Sequence, residues 1–220
     1  MNIFRSLFGK SKTPPTSVRD TLFGDLPLNK WPEDDDAGSF PWSAFVSAQS
    51  RIAQGQVALA TSSWREVLAS PNLESRHYLQ AWHFLRQHGE QPPNEIKKRV
   101  LGVIVEVGMS QGLDILAAYV DRTARYYNFS GAGVVWERPN DDLDGLIDSL
   151  LVESAKVVAQ IGPWTEERLP APANGQVRLS FLTPSGLHFG QGPMEGFAVD
   201  PLAGPVIQSA IQLMQALIKK

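Results

Sequence analysis

The chain contains no cysteine, which excludes disulfide bonds, thiolate nucleophiles and thiolate-bound metals together. It has no apolar run approaching the roughly 20 residues that cross a bilayer, so no integral membrane segment is expected. Basic residues are in no excess. With 20 Lys and Arg against 23 Asp and Glu, the chain lacks the cationic surplus whose counterion release drives binding to nucleic acid, and no nucleic-acid partner is expected. The opening MNIFRSLFGKSK lacks the apolar core and small-residue cleavage site of a secretory signal, so the expected compartment is the cytoplasm. Ile3, Phe4, Leu7 and Phe8 there share one helical face beside Arg5 and Lys10. This predicts a short terminal helix that docks on its own domain, with contact to a membrane surface as the alternative.

At 220 residues the chain can bury a real core as one domain with appendages or as two small domains. Its text divides into an N-terminal segment and linker over residues 1–40, a helical subdomain over 41–93 and an α+β domain over 94–220. Residues 11–39 are polar and broken by Pro14, Pro15, Pro27 and Pro32, as a linker or surface loop would be. Leu22, Phe23, Leu26, Leu28 and Trp31 within them suggest a segment that packs down in places. The acidic run Glu33 to Asp36 lacks the later ligands of a calcium loop and reads as solvated charge.

From Pro41 to His88 the apolar residues recur at helical spacing. Phe45, Ala48 and Ile52 mark a first helix; Ala60, Trp64, Val67 and Leu68 mark a second; Tyr78, Leu79, Trp82 and Leu85 mark a third. The spacing Gly55, Ala60, Trp64, Val67, Pro71 resembles the second half of a tetratricopeptide repeat, a family of stacked helical hairpins that bind peptides. Arg51 stands where that pattern has an aromatic, and the likeness spans about half of one repeat where solenoids stack about three. A plain helical hairpin with a third helix is therefore the expectation.

Beyond Glu95 the period changes to two. Leu101, Val103, Val105 and Val107 alternate with Gly102, Ile104 and Glu106. A meander follows through Leu113 to Val120, Thr123 to Ser130 and Val134 to Glu137. A two-residue loop at Asp121-Arg122 would set Ala117 against Tyr126, Ala118 against Arg125 and Ala124 against Tyr119. Asn140 to Asp142 caps a helix running to about Gln160, and a Pro-rich connection then leads to a hairpin, Gln176 to Leu182 and Gly186 to Gln191. A C-terminal helix closes the chain, starting after Asp200 or only at Pro205. The fold class is α+β: a mainly antiparallel sheet in the order β-β-β-β-α-β-β-α, covered by two helices and preceded by the helical hairpin and third helix. This order of elements resembles the profilin-like and roadblock-like small domains, and the resemblance implies a binding, dimerisation or sensory scaffold.

No constellation carries a specific chemistry. Asn140, Asp142, Asp144 and Gly145 follow the start of an EF-hand loop, but Leu151 stands where the bidentate Glu belongs. Glycines 190, 192 and 196 have the wrong spacing for a phosphate loop, and Pro193 removes a donor. Glu74 and His77 form half of a carboxylate diiron motif without its second copy. Ser130 and Ser185 stand in turns, not nucleophile elbows, and Asn128-Phe129-Ser130 is a sequon without secretory context. No catalytic residue, metal or cofactor is expected. The expected function is a non-enzymatic interaction or scaffold module that binds a protein partner or its own copy through the helical hairpin or the meander. The alternative is a small-ligand receptor or enzyme with a pocket between the sheet and the Pro-rich connection. Candidate contact residues are Arg122, Arg125, Tyr127, Trp164 and His188, because Arg and aromatic side chains combine wide contact area with hydrogen-bonding heads.

Overall fold

The computed structural model describes residues 16–28 and 38–220. The terminal stripe Ile3, Phe4, Leu7 and Phe8, Trp31 and the acidic run Glu33 to Asp36 lie outside them. The first described element is a short helix, α1 (Thr16–Thr21), where the sequence reads as linker. It is followed by Leu22 and Phe23, both buried, and their burial is what seats this segment on the protein rather than in solvent.

Three longer helices follow: α2 (Trp42–Ala53), α3 (Val57–Ala69) and α4 (Ser75–Gln87). Gly55 adopts φ +73°, a left-handed conformation that closes α2 and that an L side chain rarely takes. The small residues Ala48, Ala60 and Ala81 are fully buried in the shared core, which lets the helices approach closely while Phe45, Trp64, Val67 and Leu85 fill the space between them. Trp64 stacks on Phe84 at 5.3 Å. Arg51, at the position where a repeat protein carries an aromatic, reaches across to the Leu59 carbonyl at 3.1 Å and to the Ser63 hydroxyl. It ties α2 to α3 through hydrogen bonds rather than through ring packing.

Six antiparallel strands form one sheet: β1 (Gly102–Met109), β2 (Gly112–Tyr119), β3 (Ala124–Tyr127), β4 (Gly133–Trp136), β5 (Gln176–Thr183) and β6 (Gly186–Pro193), in the order β4-β3-β2-β1-β5-β6. The fold is thus α+β, as the pattern predicts. The β2–β3 register differs by one residue from the sequence expectation. Ala118 pairs with Ala124, Ala117 with Arg125, Leu116 with Tyr126 and Ile115 with Tyr127. Tyr119 N–H donates to the Thr123 carbonyl, so the loop holds Val120, Asp121 and Arg122, and Arg122 takes φ +64°. A three-residue loop ending in a left-handed residue replaces the two-residue turn. Because side chains alternate with a period of two, that single step moves Arg125 and Tyr127 to the opposite face of the sheet from the one the shorter loop would give.

The back face carries Val103, Val105, Leu116, Ala118, Tyr126, Trp136, Leu179 and Phe181. It is covered by α5 (Asp144–Gln160) and α7 (Ala203–Ile218), which contribute Ile147, Leu150, Val158, Val206, Leu213 and Leu217. A six-residue helix that the sequence reading does not contain, α6 (Met194–Val199), follows β6. Its Phe197 ring lies against bare Gly190 and Gly192; a Cβ at Gly192 would sit 3.2 Å from the ring. Asp200 accepts hydrogen bonds from the Leu202 and Ala203 N–H groups and starts α7 as a capping residue should.

The front face carries Ile104, Ile115, Ala117, Tyr119 and Leu182, packed against Leu22, Phe23 and Leu79. Tyr119 is fully buried, donates to the Leu22 carbonyl at 2.6 Å, and occupies the space left by Gly102, where a Cβ would fall 2.6 Å from its ring. The same face holds Glu106, Arg125 and Arg178, all buried. Between its two layers of helix, the sheet is largely apolar behind and sets buried charges beside an apolar cluster in front.

Candidate functional site

The front-face charges are held by segments distant in sequence. Glu106, wholly buried, accepts a hydrogen bond from Arg19 Nε at 2.6 Å and faces Arg178 at 3.6 Å. Arg178 donates to Gln191 at 2.6 and 2.9 Å and to the Leu169 and Pro170 carbonyls. Burial lowers the Arg178 pKa against the pull of Glu106. Arg168 lies 4.1 Å above the Phe23 ring and pairs with both Asp20 and Asp25. Burial opposes the Arg168 charge, but Asp25 and Asp20 more than offset it and its pKa is raised. These contacts pull the connection between α5 and β5 down onto α1.

Where the connection arches from Pro163 to Arg168 it leaves a half-open cavity of about 540 Å³. One wall is α4, with Leu79, His83 and Arg86 at i, i+4 and i+7; another is the β5–β6 hairpin with Leu182, Thr183, Ser185, Gly186 and Leu187; Trp164 and Phe23 complete the apolar lining. A second cavity of about 360 Å³ is lined by Asp25, Glu167 and Arg168 as well as by Arg19, Pro27 and Pro170. The two cavities share three lining residues and so adjoin along the connection.

Most charged groups in the groove are already engaged. Arg168 and Asp25 hold each other. Burial lowers the His83 pKa, keeping the imidazole neutral near pH 7. Arg86 is different: its Nη1 donates to the Pro184 carbonyl, and among the described residues no carboxylate pairs with it. Its Nε, Cζ and Nη2 all lie 3.8–3.9 Å from where a Gly186 Cβ would be, so Gly186 packs over the guanidinium face. Burial lowers its pKa to about 10, Asp25 acting weakly the other way. It remains a cation at pH 7, and among the described residues its Nε and Nη2 have no hydrogen-bond partner.

The hydroxyls beside it are committed to the hairpin. Thr183 donates to the Gly186 carbonyl at 3.0 Å, so the 3.0 Å contact between Ser185 and Thr183 has Ser185 as donor. His188, wholly buried, reaches Thr183 only at 3.5 Å through Nδ1, and its Nε2 has no partner. Nothing here removes a proton from Ser185. Among the described residues no group of three His, Asp or Glu is placed to hold a metal ion.

The five residues singled out in the sequence do not converge. Arg125 and Tyr127 share the front face on β3, where Arg125 reaches the Glu137 carboxylate at 3.4 Å and leaves Nη1 without a partner. His188 pairs with Phe181 on the back face of β6. Four strand steps of about 4.8 Å put it about 19 Å from Arg125 across the sheet, and on the other side of it. Arg122 lies at the β2–β3 turn, paired with Asp144 at 3.0 Å and Asp148 at 3.2 Å on α5. Trp164 alone lines the groove, its Nε1 bonded to the Glu167 carbonyl and its ring edge-on to Phe189 at 5.1 Å. The groove residue missed in the sequence is Arg86. Its signal is a charge on the stripe that begins at Leu79, one turn past His83, where an amphipathic helix carries apolar residues. Comparison of the chain with family models, curated proteins and solved structures finds no match.

Proposed function

We propose that the chain is a non-enzymatic cytoplasmic binding module that holds an extended segment of a partner protein in the groove between α4, the β5–β6 hairpin and the Pro-rich connection. The observation that carries this reading is the run of two adjoining cavities sharing Asp25, Glu167 and Arg168. Adjoining cavities that set apolar side chains such as Trp164, Leu182 and Leu187 beside the Arg86 guanidinium suit an extended chain, which presents side chains and amides in alternation. The first cavity also has the volume of a small-ligand site, and a metabolite is the competing occupant.

Selection of random displayed peptides on the full chain, followed by calorimetric titration of the winners, tests the proposal. Enriched peptides should bind Trp164→Ala at least tenfold more weakly, because the indole forms one wall of the groove while Trp164 remains partly exposed. Failure to enrich any peptide, or equal binding to Trp164→Ala, defeats the reading. A thermal-shift response to a metabolite but to no peptide would favour the small-ligand alternative, since a ligand specific to the folded state raises its stability.

A further inference from the structure

We infer that Arg86 anchors the bound segment by taking one of its carboxylates in a forked pair, with an apolar side chain of the same segment lying against Trp164, Leu187 and Leu182. The inference rests on the groove reading above and names the chemistry that the groove selects. Three observations support it. Among the described residues Arg86 bonds through Nη1 alone, at the Pro184 carbonyl, which orients the guanidinium and leaves its Nε–Nη2 edge without a partner there. That edge is the planar fork whose spacing matches the two oxygens of a carboxylate. Gly186 packs over the flat face of the guanidinium rather than across that edge, since a Cβ there would be about equally far from Nε, Cζ and Nη2.

The surrounding charges narrow the class further. Asp25 is committed to Arg168 through both oxygens, and the neutral His83 adds no second cation. Glu166 and Glu167 stand exposed on the lining. Among the described residues of the lining, one unpaired cation shared with two exposed carboxylates suits a monoanion and disfavours a phosphate dianion, which would meet more repulsion. The depressed pKa of Arg86 is consistent with a guanidinium taken from water without a counter-charge. Such a group gains most when a ligand supplies one.

The test uses the full chain labelled with nitrogen-15, following the Arg86 Nε–H and Trp164 Nε1–H resonances. Three probes are titrated: N-acetyl-leucine, with a terminal carboxylate; N-acetyl-glutamic acid α-amide, with only a side-chain carboxylate; and neutral N-acetyl-leucinamide. At least one acid should shift both resonances saturably, and which one does so separates a chain terminus from an acidic side chain as the source. The neutral amide should bind at least tenfold more weakly than that acid, and inorganic phosphate should not displace it. Arg86→Gln, which keeps a donor for Pro184, should lose the preference for the acid over the amide; Arg86→Lys should keep the charge preference at several-fold lower affinity.

Equal binding of acid and amide, no response to either acid, displacement by phosphate, or an undiminished acid preference in Arg86→Gln overturns the inference. Peptides that depend on Trp164 but ignore Arg86→Gln would defeat the anchor and leave the groove standing. Acid binding through Arg86 without any Trp164-dependent peptide would do the reverse.

Discussion

Replacing Glu106 by Gln is the sharpest test of the charged front face. The side chain is wholly buried, 2.6 Å from Arg19 and 3.6 Å from Arg178, whose own side chains are 11% and 5% exposed. Gln keeps the shape and removes the charge, leaving two guanidinium groups close together with no anion between them. At an effective dielectric near 20, each attraction at about 4 Å is worth about 4 kcal/mol before desolvation is subtracted. Breaking a buried pair by removing one partner costs about 3–5 kcal/mol. The carbonyls of Leu169 and Pro170 and the Gln191 side chain still hold Arg178, which places Glu106→Gln at the lower end, about 3 kcal/mol. Urea unfolding followed by circular dichroism at pH 7 should show that loss. In a chain of this length, a melting temperature about 6–12 °C lower corresponds to it. Arg19→Met should be costly alone, and the double variant should lose less than the two single losses together, because each removes the other's reason to be charged. A loss below about 1 kcal/mol for Glu106→Gln, or strict additivity with Arg19→Met, would refute the view that Glu106 fastens α1 to the sheet.

Three further outcomes follow from other contacts. Gly108→Ala would drive a Cβ to 2.1 Å from the Ala173 carbonyl oxygen, so the end of the connection must shift; a loss of about 1–3 kcal/mol or more in denaturant unfolding is expected, and a neutral substitution would contradict this packing. Asp121 accepts from the N–H groups of Ser75 at 2.6 Å and Thr123 at 2.9 Å, so Asp121→Ala should cost about 0.5–2 kcal/mol and speed amide exchange in the first turn of α4; unchanged exchange there would count against the cap. Burial lowers the His188 pKa from its ordinary 6.5, Lys98 adding to it and the Gly186 carbonyl opposing. As pH falls below 6.5 the unfolded chain takes up the proton first, so stability should fall with a slope of up to about 1.4 kcal/mol per pH unit from this residue until the lower folded pKa is passed. His188→Gln should flatten that slope, and the same slope in wild type and variant would remove His188 as its source.

The elements were legible because their periods are clean: α2 to α4 repeat their apolar residues at helical spacing, and β1 alternates through Val103, Val105 and Val107. The β2–β3 register was not, because Asp121-Arg122 resembles a two-residue turn in the local text. What selects the longer loop is a contact to Ser75, 46 residues away, together with a left-handed Arg122 that carries none of the usual Gly or Asn signal. Glu106 stood in the text only as a charge on the second face of an alternating strand, with no sign of its burial or of the cation that some segment must bring it. Which segment does so depends on pairs such as Arg168 with Asp25, 143 residues apart, and no local pattern announces them. The groove shares that obscurity. Trp164 could be picked out as a large amphipathic side chain on a Pro-rich connection, while Arg86 only becomes distinctive once the partners of its neighbours are known.

The ion pairs of α1 also set an order of events during synthesis. Arg19 waits for Glu106, 87 residues later, and Asp20 for Arg168, 148 residues later. At a translation rate of about 5–20 residues per second, the second interval is about 7 to 30 s. The helices α2 to α4 can form on local contacts as they emerge, but the ion-pair partners of α1 among the described residues come only with the sheet and the connection. The earliest described part of the chain to be made is thus among the last to be fastened, and it is fastened by the segment that roofs the groove. Completing the groove and closing the Arg168 clasp on Asp20 and Asp25 are one event, and a nascent chain that lacks its last third has neither.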